Sequence, residues 1–176
     1  MKMKIAALVL IVLLPVLAVT ATYATKPAMG SGKVALHGPP TLVGSSRPAG
    51  DNTIATFKET FDLTGTLTGA AVALERDVTH ASSEKSFITF QGEANFTGSA
   101  GDVSGKLVIR YVGINNGTFI RGQFVIVSGA GGLADFHGQG QFSGKVGMGA
   151  EGGGLPLDYT LKWHIDPVAV STKHSA

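Results

Sequence analysis

Between residues 53 and 165, alternation of apolar and polar side chains recurs segment after segment, and the 3.6-residue period of a helix is almost absent. Successive side chains of an extended strand point to opposite faces, so this pattern commits the chain to strands with one buried face. In 53–63, Ala55, Phe57, Phe61 and Leu63 share a face opposite Thr56, Lys58, Thr60 and Asp62. In 86–97, Ile88, Phe90, Ala94 and Phe96 oppose Thr89, Gln91, Glu93 and Asn95. In 103–112, Val103, Leu107, Ile109 and Tyr111 oppose Ser104, Lys106 and Arg110, and in 157–165, Leu157, Tyr159, Leu161, Trp163 and Ile165 oppose Asp158, Thr160, Lys162 and His164. Further strands are predicted at 66–78, 118–128 and 134–146, separated by turn signals such as Asn115-Asn116-Gly117 and Gly129–Gly132.

Seven or eight antiparallel strands with one apolar face each must close into a barrel or stack as a sandwich. Glycine chooses between these. Seventeen of the 25 glycines fall in residues 98–154, many of them inside strands. Glycine weakens a flat strand but suits bulges and the bends of a barrel wall, so the expected fold is an all-β, closed antiparallel barrel of about eight strands.

The remaining chain divides around that domain. Residues 1–24 have the layout of a secretory signal peptide: Lys2 and Lys4, then the apolar run Ile5–Val19, then small residues. That run is interrupted by Pro15 and is short against the about 20 residues a membrane span needs, so export is expected, with an uncleaved anchor as the alternative. Only through such an anchor would the protein touch a membrane. Residues 25–52, with Pro27, Pro39, Pro40 and Pro48, read as a linker or extended arm, 53–166 as the barrel, and 167–176 as a polar tail.

Composition then removes whole classes of function. There is no cysteine, which excludes disulfides, a thiol nucleophile and thiolate metal sites. The formal charge of +2 comes from Lys2 and Lys4, and the remaining charges alternate in sign, so nucleic-acid binding lacks its electrostatic footprint. No nucleophile elbow and no phosphate-cradling loop occurs, and no cofactor is implied.

The stretch VIVSGAGGLADFHGQGQFSG (125–144) resembles the signature of the allene-oxide-cyclase-like barrels, a group that includes dirigent proteins and families of unknown function. The signature turn would comprise Gly129, Gly131 and Gly132, followed by His137 and Gly138, where His137 stands in place of the usual Arg. The resemblance implies a barrel that holds an apolar or phenolic molecule in a shaped cavity. It also implies a homo-oligomer, a trimer by analogy. It transfers no catalytic residue.

Candidate site residues follow from breaks in the pattern. Glu59 falls on the apolar side of its strand with Phe57 and Phe61, and Arg76 sits likewise beside Val72, Leu74 and Val78. A buried Glu59–Arg76 pair would be either a structural ion pair or the polar end of a ligand cavity. Tyr111, Tyr159 and Trp163 are the aromatic residues expected to line such a cavity for a small apolar ligand. Asp135, His137, His164 and Asp166 put imidazoles and carboxylates on one strand face, but their neighbours Gln139, Gln141 and Lys162 point to a solvated surface, and no metal site is assigned. The alternatives to ligand binding are a surface-mediated role, using outward Lys106, Arg110, Arg121 and Gln123, or isomerase-like catalysis.

Overall fold

The computed structural model describes residues 26–81, 86–147, 154 and 156–166, and contains no helix among them. The leader and the polar tail lie outside the described residues. Ten strands run in chain order: β1 Ala28–Leu36, β2 Thr41–Leu42, β3 Arg47–Ala49, β4 Asn52–Gly65, β5 Leu67–His80, β6 Phe87–Ala100, β7 Val103–Asn115, β8 Phe119–Gly131, β9 Phe136–Lys145 and β10 Leu157–Ile165. From β4 onward each strand pairs antiparallel with the next, through to β10. β1 then closes the circle, pairing with β10 through Ala28–Val34 and with β4 through Gly32–Leu36. The result is an eight-stranded closed antiparallel barrel, with β2 and β3 added along the free upper half of β4.

Closure corrects the reading of 25–52 as a linker or arm, because residues 28–36 are a stave of the barrel. β1 escaped the pattern because its inward positions include Gly30 and Gly32, which carry no apolar signal. A side chain at Gly32 would collide with the Tyr159 ring and the Thr64 carbonyl, so the strand needs glycine there in order to pack.

The same arrangement recurs around the wall and explains the glycine content better than corner bends do. Gly92 faces Tyr111, Gly113 faces Phe90, Gly122 faces Phe142 and Gly140 faces Phe124, each directly opposite in register. In each pair the ring lies over the glycine of the neighbouring strand, occupying the space a Cβ would need. An eight-stranded barrel has an interior only about wide enough for its own side chains. Pairing a large ring with an absent side chain lets several aromatic residues share that interior.

One end of the barrel is sealed. β8 continues through Gly129 to Gly131, so the signature turn begins later than predicted and spans Gly131 to Phe136, with Gly131 at φ 68°. The turn is pinned by Gly132 N donating to Ser104 O at 3.0 Å and Phe136 N to Leu133 O at 3.1 Å. It turns Leu133 into the end of the barrel, where that side chain is fully buried among Leu67, Phe96, Leu107, Phe136 and Leu161. Tyr159 braces the same region, its hydroxyl accepting from Leu67 N at 2.8 Å and donating to Thr64 O at 3.2 Å.

Candidate functional site

The other end is hollow. Above the Leu67–Phe96–Leu107 layer lies a cavity of about 390 Å³ whose lining is mostly apolar, including Val34, Leu63, Ala71, Ala94, Ile109, Phe124 and Leu157. Pro39, Pro40, Asn115, Lys145 and Gly147 also line it, from the connections and strand ends at the open end. The volume lies at the low end of the about 300–1,000 Å³ usual for small-molecule sites.

Its polar content is concentrated in one patch. Glu59 on β4 and Glu75 and Asp77 on β5 all line the cavity, and the two glutamates are 7% and 9% exposed. They meet because β4 and β5 pair with Glu59 opposite Ala73 and Glu75 opposite Phe57, which puts the glutamates on a diagonal of the same inner face. Tyr111 arrives from β7. Its ring crosses Gly92 and its hydroxyl comes to lie beside the Glu75 carboxyl, although it makes no hydrogen bond of good geometry there. Asp77 Oδ1 is likewise buried without a partner.

Burial governs the protonation of these groups, because an apolar interior disfavours the charged form. Desolvation, reinforced by the Asp77 charge, raises Glu59 from 4.5 to about 7. Desolvation and the neighbouring Glu59 and Asp77 raise Glu75 from 4.5 to about 9. Asp77 is also raised, chiefly by burial, and the Tyr111 phenol is driven well above its ordinary range by burial and by the acids around it. At neutral pH Glu75 is therefore a carboxylic acid that can donate a hydrogen bond, with Glu59 balanced between its two forms.

An aromatic enclosure surrounds the patch. Phe61 and Phe142 meet Tyr111 edge-on at centroid distances of 6.2 and 6.5 Å, and Phe90 lies 6.3 Å from Tyr111 and 6.2 Å from Phe142.

Of the residues singled out from sequence, Glu59, Tyr111 and Tyr159 line this cavity. Arg76 does not. β5 turns Ala71, Ala73, Glu75 and Asp77 inward, leaving Val72 and Leu74 exposed at 42% and 58% and Arg76 on the outer wall, so the predicted Glu59–Arg76 pair does not exist. The larger hydrophobics of β5 misled the pattern. Ala71 stands between Phe61 on β4 and Phe96 on β6, and only a small side chain fits inside there. Trp163 also lies elsewhere, stacked on Phe136 at 5.0 Å toward the sealed end. Glu75 and Asp77 went unnoticed in the sequence, although their alternation with Ala71 and Ala73 at period 2 was the available signal.

The signature residues serve the fold. Gly129 is packed under the Leu133–Ala134 backbone, and Gly138 lies against Leu161 and Trp163. His137 and His164 stand opposite each other on the outside, stacked at 5.4 Å, with Nε2 atoms 3.2 and 3.3 Å from the two oxygens of Asp166. Among the described residues no group of three or more His, Cys, Asp or Glu side chains is arranged to hold a metal ion.

Comparison with known proteins agrees with this architecture. No curated protein matches the chain. A crystal structure of a protein of unknown function from the DUF3224 family of Shewanella oneidensis MR-1 superposes with a TM-score of 0.58 at 15% identity, covering 81% of this chain and 100% of that one. At that identity the likeness speaks to the fold. The model of the same family, described as a protein of unknown function, matches residues 40–153. With most of its barrel inside that match, the chain belongs to the DUF3224 family.

Proposed function

We propose that this protein binds a small, largely apolar molecule inside its barrel. One observation carries the reading: a hollow of about 390 Å³, walled by aliphatic and aromatic side chains, contains a single polar patch with buried groups that lack partners. Such a patch orients a ligand, while the apolar wall supplies most of the burial energy. The resemblance to allene-oxide-cyclase-like barrels, which work by enclosing apolar molecules, supports the same reading. We further propose, from the signal-peptide layout of residues 1–24, that this binding takes place outside the cytoplasm.

Native mass spectrometry of the protein purified under mild conditions, followed by solvent extraction, is the test. A stoichiometric adduct that disappears in an Ala71→Phe variant, which fills the cavity, is the expected result. An apo mass that a panel of fatty acids, phenols and amines leaves unchanged would overturn the proposal. The same spectrum counts subunits and so tests the homo-oligomer, for which exposed Lys106, Arg110, Arg121 and Gln123 offer an outer face.

A second reading has a specific observation behind it. Glu59, titrating at about 7 beside a bound molecule, has the pKa suited to moving protons near neutral pH. In that case the barrel would isomerise its ligand, and the extracted adduct incubated with fresh protein in deuterated water would gain deuterium.

A further inference from the structure

We propose that the cavity selects an organic cation, a molecule with an ammonium or similar positive centre on an apolar body, received by Glu59, Glu75 and Asp77 within the ring of Phe61, Phe90, Phe142 and Tyr111. The inference rests on the reading of the cavity as a small-molecule site and adds the charge of the occupant.

Three carboxyl groups inside an apolar cavity are costly to place there. Every ion pair found among the described residues lies on the outer surface or at a barrel end: Lys33–Asp158, His37–Asp62, Arg110–Glu93, and His137 and His164 with Asp166. None involves the three interior acids. Lys145 is the one basic side chain among the lining residues, and it is exposed at the end of β9 with no ion pair to them. Among the described residues, therefore, no basic side chain pairs with these acids when they ionise.

Glu75 interacts with Asp77 and with the Tyr111 hydroxyl, so part of the patch satisfies itself, and what is left over points to a ligand. Glu59 is 7% exposed, lines the cavity and has no hydrogen-bond partner among the described residues. Asp77 Oδ1 is buried without a hydrogen-bond partner, and the buried Tyr111 hydroxyl has only the Glu75 carboxyl beside it, with no bond of good geometry. An organic cation answers these features together. Its charge compensates the carboxylates, and its alkylated centre sits favourably against aromatic faces. A bare metal ion does not, since hard cations seek six or more oxygen ligands and most of this wall is hydrocarbon. A neutral ligand would use a hydrogen bond or two and leave the remaining acids as they are.

Proton release accompanies such binding. Glu59 faces Glu75 and Asp77 from β5 and Tyr111 from β7. β6 contributes Phe90 and Ala94, β1 contributes Val34 and Leu36, and Tyr159 from β10 and Lys145 from β9 are the other titratable groups of the lining among the described residues. A fixed positive charge among these groups stabilises the carboxylate forms, so a proton leaves as the cation enters.

Phenyltrimethylammonium and tert-butylbenzene test the idea, because they share a shape and differ in charge, and the quaternary centre cannot itself titrate. Both would be titrated into the full-length protein and followed by NMR shifts of cavity methyl groups. The expected result is at least tenfold tighter binding of phenyltrimethylammonium at pH 8, with the advantage shrinking below pH 6. The Glu59→Gln/Glu75→Gln double variant, which keeps size and removes charge, should lose the tenfold preference and still bind tert-butylbenzene. Equal or tighter binding of tert-butylbenzene to the wild type would overturn the cation and leave the cavity reading intact. Cavity shifts from neither probe would overturn both.

Discussion

Tyr111 reaches Glu75 across a strand that stands between them, because the intervening residue on β6, Gly92, has no side chain to block the ring. The polar patch thus depends on an atom that is absent. Gly92→Ala would press a methyl group into the Tyr111 ring, and overpacking of this kind costs about 1–3 kcal/mol. Urea denaturation should show that loss, and in a Tyr111→Ala background the same alanine should be close to neutral. An equal loss in both backgrounds would show that the ring does not occupy that space.

Stability should fall as pH rises. In the unfolded chain Glu59 and Glu75 titrate near 4.5, while in the barrel they hold their protons to about 7 and about 9. Between those limits the native state binds more protons than the unfolded state, so rising pH removes stability that is fully present below 4.5. The upper bound for each group is about 1.4 kcal/mol per pH unit across its own window. Thermal melts from pH 5 to pH 9 should show a declining Tm, and Glu59→Gln/Glu75→Gln should flatten the decline. A wild-type Tm that climbs over this range would mean that the acids ionise freely in the native state.

Removing the plug should be more damaging than its loop position suggests. Leu133 lies in a turn yet is completely buried. Leu133→Ala should cost about 2–5 kcal/mol, as for a core leucine. A loss below about 0.5 kcal/mol, as at an ordinary surface site, would place the side chain outside the barrel.

Trp163→Ala should lower stability and leave the proposed ligand binding unchanged. Its stacking on Phe136 predicts a loss of about 3 kcal/mol for Trp163→Ala, measured by denaturation. Ligand affinity, measured below the melting range, should stay within about twofold because the ring is not part of the cavity wall. A tenfold drop in affinity with unchanged stability would reverse that assignment.

Arg76→Ala should change stability by no more than about 0.5 kcal/mol, since the side chain projects from the outer wall. Had Arg76 paired with Glu59 inside the barrel, its removal would strand a buried charge and cost about 3–5 kcal/mol.

The strands were legible wherever one face carried the large apolar residues. Phe90, Ala94 and Phe96 on β6, Leu107, Ile109 and Tyr111 on β7, and Tyr159, Leu161 and Trp163 on β10 all point inward as alternation predicts. β5 inverted the rule, since Val72 and Leu74 lie outside and two alanines lie inside. Alternation reports which residues share a face, whereas size alone was used to decide which face is buried. In a narrow barrel the buried face of one strand can be small because its neighbours are large. Glu59 was visible because its neighbours on that face are Phe57 and Phe61. Glu75 and Asp77 were hidden by the same inversion that misplaced Arg76.

By itself, the sequence determined that this chain is built of antiparallel strands, that they must close into a barrel or stack as a sandwich, with glycine favouring the barrel, and that Glu59 breaks an apolar face. Those are local properties, carried by neighbours two residues apart. Only the tertiary structure decided that β1 closes the ring, that Leu133 seals one end, and that Glu59, Glu75, Asp77 and Tyr111 converge in a hollow at the other. That convergence depends on strand register and on which glycine lies beneath which ring. Register is fixed by packing between residues far apart in the chain, so no window of sequence contains it.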